Sequence, residues 1–471
     1  MKNLPVGIQT FREMISRNYL YVDKTRDIYN LFATGGKFYF LSRPRRFGKS
    51  LLVSTLKEIF SGSRELFKGL WIYDKIEWES HPVIHIDFLG LNYKTKDELN
   101  DTLNYLIDQN ARTHKVDLRE KGYDKRFREL IIKLSQDNKV VVLVDEYDKP
   151  IIDFVDKPGI ASAHRDILKT FYSILKGLDE YLRFVFITGV SKFSKVSVFS
   201  DLNNLFDITI DESYATMLGY TQEELLKYFS RRIEELTKVE NCSREELIED
   251  IKRWYNGYSW DGKNFVYNPF SVLNFFQKQK FGNYWFESGT PSLLVKLIKK
   301  HNIDVKTFER HKTGEAVFSS FEIDRLHVVS LLFQTGYLTI KEVEHTGRHK
   351  RLYTLSYPNI EVKEAFLEYL LGDFSARFAD EITMIVEQLK ESLERGEEEG
   401  FFEVMRSLFA RIPYDMFVGD REGYYQTVIY LVLMLIGVSI RTEVETNLGR
   451  LDAVVETGNF IYVMEFKLGT A

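Results

Sequence analysis

Apolar and polar positions along this chain follow two rhythms, and the change between them marks out its elements. Residues 37–42 (KFYFLS) form a short apolar run that ends in the loop RPRRFGKS. Leu52, Leu56, Ile59 and Phe60 then recur at helical spacing up to Gly62, a natural stop. Strand, loop and helix make the first unit. A second strand is predicted over Val83 to Phe88, followed by helices over about 97–112 and 124–136. KVVVLVDEYD then gives near-continuous β-branched positions ending in acids, as in a strand buried on both faces of a parallel sheet. A helix over about 164–178 leads to a fourth such strand, RFVFITGVS, and DITID (207–211) suggests a fifth. This alternation predicts an α/β fold, a parallel sheet covered by helices.

After Ser213 the texture changes. Residues 221–255 read as charged helices, and Thr221 before Glu224 resembles a capping box. An aromatic, turn-rich segment follows, YNGYSWDGKNFVYNPFSVLNFF, read as core in preference to a base-stacking surface. From about 290 to 400 the pattern is mostly helical, with a hairpin suggested at 337–355 and an acidic helix end or linker at 394–400. The domains expected are a core over 1–215, a mostly helical lid or linker over 216–400 and a C-terminal module over 401–471.

Composition adds limits. A chain of 471 residues exceeds what one core supports. With 44% hydrophobic and 28% charged residues it is an ordinary globular chain, and 36 Phe and 27 Tyr imply well-filled cores. A net charge of −5 excludes a general polycation, so contact with DNA or RNA needs a local basic patch. Cys242 is the single cysteine, which excludes an internal disulfide and a multi-thiolate metal site. The N-terminus MKNLPVGIQTF lacks a signal-peptide apolar region, and the longest apolar run, Val428 to Ile440, is too short to span a bilayer. A cytoplasmic protein with no membrane partner is expected.

Four coincident features indicate a P-loop nucleotide site. RPRRFGKS (43–50) lies between a strand and a helix, where backbone N–H groups favour phosphate. Lys49 would reach the β- and γ-phosphates of ATP, and Ser50 would ligate Mg²⁺. Asp145 ends an apolar strand at the Walker-B position, and Glu146 beside it would polarise an attacking water. The strand at 83–88 intervenes in sequence between the two motifs, as in P-loop ATPases with an inserted strand and a catalytic glutamate. Arg43 replaces the usual first glycine and Pro44 removes one N–H. Arg45 and Arg46 are candidates to supply the missing charge, within a binding segment running through Phe47, Gly48 and Leu51. Thr188 and Ser191 are sensor candidates at the end of the fourth strand.

YVDKT (21–25), SRPRRFGKSLL (42–52), VDEYDKPI (144–151), TGVSKFS (188–194), NNLFDIT (203–209), YNGY (255–258), YNPFSVLNFF (267–276) and YWFESGTP (284–291) together resemble the bacterial and archaeal AAA-ATPase-like family fused to PD-(D/E)xK nuclease domains. The resemblance covers most of residues 1–300 and implies that RPRRFGKS is the family's own phosphate loop.

The tail supports the second half of that resemblance. A buried helix (about 423–436) precedes a strand, GRLDAVV, the turn TGN and FIYVMEFKL. In a strand, residues two apart share a face, so Glu465 and Lys467 point together, and Asp452 on the neighbouring strand could converge with them. Two acids can share Mg²⁺, and a lysine can orient water and offset phosphate charge. This D…ExK pattern resembles the PD-(D/E)xK nucleases, which implies Glu422 as the upstream acid, with Glu445 as a substitute. The chain ends four residues after Lys467, where family members continue with a further helix and strand, so an incomplete module is expected. The function expected is an ATP-driven switch or motor coupled to a Mg²⁺-dependent nuclease. The alternatives are a nucleotide-binding regulator with an inactive, binding-only tail, and a nuclease whose first domain no longer hydrolyses ATP. A homo-oligomer is a further expectation, since AAA-like ATPases often act as rings.

Overall fold

The computed structural model describes residues 1–33, 35–192, 195–286, 292–301, 303–318, 327–346, 350–412, 421–437, 439–446 and 449–464; at 195–196, 292–293, 421–423, 439–446 and 449–453 it describes backbone only. The chain divides into two compact units, Met1–Trp285 with Arg310–Asn359, and Phe286–Glu309 with Ile360–Ala471.

The first unit is built on five parallel strands: β1 (Phe38–Ser42), β2 (Val83–Asp87), β3 (Val140–Asp145), β4 (Leu182–Gly189) and β5 (Phe206–Asp207), in the spatial order β2-β3-β4-β1-β5. Every residue of β1 and β3 is buried. Their near-continuous apolar runs, Phe38–Leu41 and Val140–Val144, are what a strand covered by helices on both faces requires. Helices Lys49–Phe60, Lys96–Thr113, Tyr123–Leu134 and Pro158–Lys176 supply that cover, each through an apolar stripe such as Phe127, Leu130, Ile131 and Leu134. β2, which precedes Walker B in sequence, lies at the sheet edge. The strand standing between the phosphate-loop strand and the Walker-B strand is instead β4, so Asp145 reaches the loop's neighbourhood across one intervening strand.

The same unit continues through helices Gln222–Glu240 and Arg244–Tyr255, both opened by a capping box, at Thr221–Glu224 and Ser243–Glu246. The aromatic segment after them is core: Tyr255, Tyr258, Trp260, Tyr267, Phe275 and Phe276 are buried. A small antiparallel sheet completes the unit, β6 (His311–Gly314), β7 (Thr339–Thr346) and β8 (Lys350–Ser356), in the order β6-β8-β7.

The second unit is mostly helical, with Ile360–Ser375, Ala379–Arg395, Glu398–Ala410 and the apolar Arg421–Ile436. Gly396, in the left-handed region at φ 74°, ends the second of these inside the acidic stretch. Three antiparallel strands follow, β9 (Ser439–Thr446), β10 (Gly449–Glu456) and β11 (Ile461–Met464), in the order β11-β10-β9. The turn joining the last two is closed by Thr457 N–H donating to the Phe460 carbonyl at 2.8 Å. Among the described residues, no helix is long and apolar enough to cross a membrane.

Candidate nucleotide site and C-terminal module

β1 delivers the phosphate loop. Pairing with β4 runs one step past the strand, Arg43 N–H donating to the Gly189 carbonyl at 3.2 Å, and the chain then turns into helix Lys49–Phe60. Gly48 precedes that helix with φ 91° and no side chain caps it, so the first N–H groups remain for an anion. A Cβ on Gly48 would meet nothing within 4 Å; the glycine is required by torsion, not space. Lys49 is 4% exposed. Its ammonium donates to the Pro44 carbonyl at 3.2 Å and lies 3.8 Å from Glu146 Oε1. The cation is therefore held inside the loop it would serve.

The acids come from the carboxyl ends of β2 and β3. Asp87 and Asp145 are paired across the two strands, and Asp145 is 3% exposed. Burial pushes the Asp145 carboxyl up to about 6; a hydrogen bond from Ser50 and the charge of Lys49 pull it down, while Glu146 and Asp87 push it further up. Burial raises Asp87 as well. Glu146 has φ 52°, a left-handed conformation that costs a non-glycine residue roughly 1–2 kcal/mol. The residues after it hold that turn. Tyr147 donates its N–H to the Thr188 carbonyl at 3.1 Å and its hydroxyl to the Ser191 carbonyl at 3.0 Å. The Asp148 carboxylate accepts from Val190 N–H at 3.3 Å, and from Ser191 N–H at 2.8 Å and Oγ at 2.9 Å. Gly189 leaves room for this, since a Cβ there would fall 2.3 Å from Asp148 Oδ1. Burial raises Asp148 to about 6 as well.

Lys49, Ser50, Asp145 and Glu146 thus meet at one end of the sheet. Thr188 and Ser191 border them with their hydroxyls engaged by protein: Thr188 donates to the Leu41 carbonyl at 2.7 Å and Ser191 to Asp148. Arg45 and Arg46 are exposed on the loop, and Leu51 is half-buried in the first helical turn. Phe47 is 1% exposed, its ring edge-on to Tyr258 and Trp260, so only its backbone faces the loop interior. Two acids to which the motifs gave no role, Asp87 and Asp148, belong to the site's frame, as does Arg43, which the sequence placed at the glycine position and the fold buries. The first two carried a signal, an acid closing VIHID and a third acid in VDEYD. For Mg²⁺ the donors fit, a serine hydroxyl beside a buried carboxylate being hard oxygen ligands. Among the described residues no cluster of three or more acids, histidines or cysteines could hold a metal ion. A cavity of about 420 Å³ lined by Gly36, Lys37, Tyr39, Asp179 and Phe206 lies at the opposite end of β1, away from this chemistry.

In the second unit, Glu422 sits in the first turn of helix Arg421–Ile436, Glu445 on β9 opposite Arg450, and Asp452 on β10 beside Ala453, which pairs with Met464. Met464 is the last described residue; Glu465 and Lys467 lie outside the described residues, as do the side chains of Glu422, Glu445 and Asp452.

Comparison with known proteins agrees with both halves. Residues 5–199 match the family described as predicted AAA-ATPase, and residues 420–470 match the PD-(D/E)XK nuclease superfamily. The chain is also similar to an uncharacterized protein in the vnfD 5′ region of Azotobacter chroococcum mcd 1, 39% identical over 478 residues that cover 99% of this chain and 89% of the relative. The chain belongs to this family of predicted AAA-ATPases that carry a PD-(D/E)XK nuclease-superfamily segment.

Proposed function

We propose that this protein binds and hydrolyses ATP as a switch or motor, and that its cycle governs a Mg²⁺-dependent nuclease acting on nucleic acid. The meeting of Lys49 and Ser50 with Asp145 and Glu146 carries this reading, with Lys49 Nζ 3.8 Å from Glu146 Oε1. Lys49 and the uncapped N–H groups after Gly48 take the phosphates, with Arg45 and Arg46 adding charge from the loop rim. Ser50 and Asp145 hold Mg²⁺, which when bound offsets phosphate charge. Glu146, whose carboxylate lies beside Lys49, accepts a proton from the attacking water. Thr188 and Ser191, at the end of β4, fix the wall facing the loop. In this scheme residues 1–215 are the ATPase core, 216–400 a lid or linker, and 401–471 the nuclease-like module. There Asp452 and Glu465, with Glu422, hold the metal while Lys467 orients water.

Two measurements test this. Lys49→Ala should abolish binding of a fluorescent ATP analogue; unchanged affinity would put any nucleotide elsewhere. Plasmid or RNA should be cut with Mg²⁺ or Mn²⁺ and spared in Asp452→Asn. Binding of nucleic acid without cutting by the unaltered protein would replace the nuclease with a binding-only tail.

A further inference from the structure

The five residues before Gly48 are each engaged by residues far downstream. The Arg43 guanidinium lies 3.9 Å over the Trp260 ring and donates to the carbonyls of Ser42 at 3.0 Å, Thr209 at 2.6 Å and Tyr214 at 3.4 Å. Pro44 abuts Gly336, where a Cβ would fall 2.8 Å from Pro44 Cβ. The Arg45 carbonyl accepts from Trp285 Nε1 at 3.1 Å. Arg46 lies 4.8 Å over the Phe270 ring. Phe47 meets Tyr258 at 4.7 Å and Trp260 at 5.4 Å between ring centroids, both edge-on. Local preference does not explain this loop, because Arg43 stands where glycine would loosen it and Arg46 holds φ 66°. Its shape is imposed by the ring cage.

We propose that Phe47 is a positioning residue for the nucleotide: its ring, locked between Tyr258 and Trp260, sets the loop that presents Lys49, and nucleotide occupancy is passed back through it to the segment around Trp260. The proposal rests on the nucleotide reading above. Lys49 follows Phe47 by two residues, so a shift of the loop around phosphate reaches the Phe47 ring and its two neighbours through the shortest stretch of chain. Any coupling of this kind is reciprocal: what the phosphates do to the cage, the cage does to phosphate affinity. In the Tyr258–Trp260 segment, a motif without chemistry of its own acquires a task.

The test uses the full chain, equilibrium dialysis with radiolabelled ATP and Mg²⁺, and tryptophan emission during the same titration. Phe47→Ala should weaken ATP at least tenfold, while Phe47→Leu, which refills most of the space, should recover most of the loss. In a Trp285→Phe background, which removes the tryptophan bonded to the Arg45 carbonyl, ATP should alter the emission, the change vanishing when Trp260→Phe is added and persisting when Trp71→Phe is added instead. Circular dichroism checks that each variant is folded; should Phe47→Ala fail to fold, the emission arm decides alone. Wild-type affinity in folded Phe47→Ala, or an emission change undiminished when Trp260→Phe is added to Trp285→Phe, would overturn the proposal while binding lost in Lys49→Ala left the nucleotide reading standing. If the unaltered protein binds no ATP, the nucleotide reading itself fails, and the proposal with it.

Discussion

Asp145→Asn should stabilise the protein in the absence of nucleotide while destroying its response to Mg²⁺ and ATP. The side chain is 3% exposed and its carboxyl is raised from an ordinary 3.8 to about 6, chiefly by burial. At about 1.36 kcal/mol per pKa unit, ionising Asp145 in the folded state costs on the order of 3 kcal/mol more than in the unfolded chain. The folded state holds its proton up to about 6 and the unfolded state releases it near 3.8, so between these values the folded form binds more protons. Stability therefore falls as pH rises through that window and stays lowered above it. Asparagine keeps an oxygen to accept from Ser50 and from Glu146 N–H, at 3.0 Å in the native protein, and carries no charge to desolvate. The variant should gain a few degrees in melting midpoint at pH 8, nothing near pH 4, and show none of the stabilisation that ATP with Mg²⁺ should give the native chain. Asp148, also raised to about 6, is common to both proteins, so the difference between their pH profiles reports Asp145 together with its coupling to Asp87 and Glu146. Thermal unfolding by circular dichroism across pH 4–8 is the assay. Destabilisation at pH 8, or a difference that does not change with pH, would refute the claim that burial of charge dominates this position.

Glu146→Gln should retain ATP affinity and slow turnover by two or more orders of magnitude, because the amide accepts no proton; a phosphate-release assay at wild-type rate would remove Glu146 from the mechanism. Thr221→Ala should cost about 1 kcal/mol in urea unfolding, since Thr221 Oγ1 accepts from Glu224 N–H at 3.2 Å, while Thr221 N–H donates to the Glu224 carboxylate at 2.8 Å. Glu224→Ala should cost more than Thr221→Ala, because the Glu224 carboxylate also meets the half-buried Lys24 ammonium at 2.6 Å; equal losses would mean that this ion pair contributes nothing.

Much of this protein was legible as sequence because the relevant forces act locally. Val140–Val144 reads as a doubly covered strand because positions between two helix layers favour apolar side chains, and the folded strand is buried throughout. Thr221 and Glu224 announce a helix start because a capping box is closed within four residues. Gly48-Lys49-Ser50 reads as a candidate anion site because the N–H groups, the cation and the hydroxyl are adjacent in the chain. What tertiary structure alone decided are pairings between distant segments. Nothing near residue 87 says that Asp87 stands beside Asp145; the β2–β3 register does. Nothing in TGVSK says that the Thr188 hydroxyl is bound to Leu41, or that Ser191 is held by Asp148. RPRRF looked like a phosphate loop deprived of its first glycine and enriched in charge. Folded, its first arginine is buried beneath Trp260 and its phenylalanine is caged by rings more than 200 positions downstream. Such contacts leave no periodicity, because the partner that satisfies a buried guanidinium or fills a ring-shaped space is chosen by chain topology rather than by neighbours in sequence.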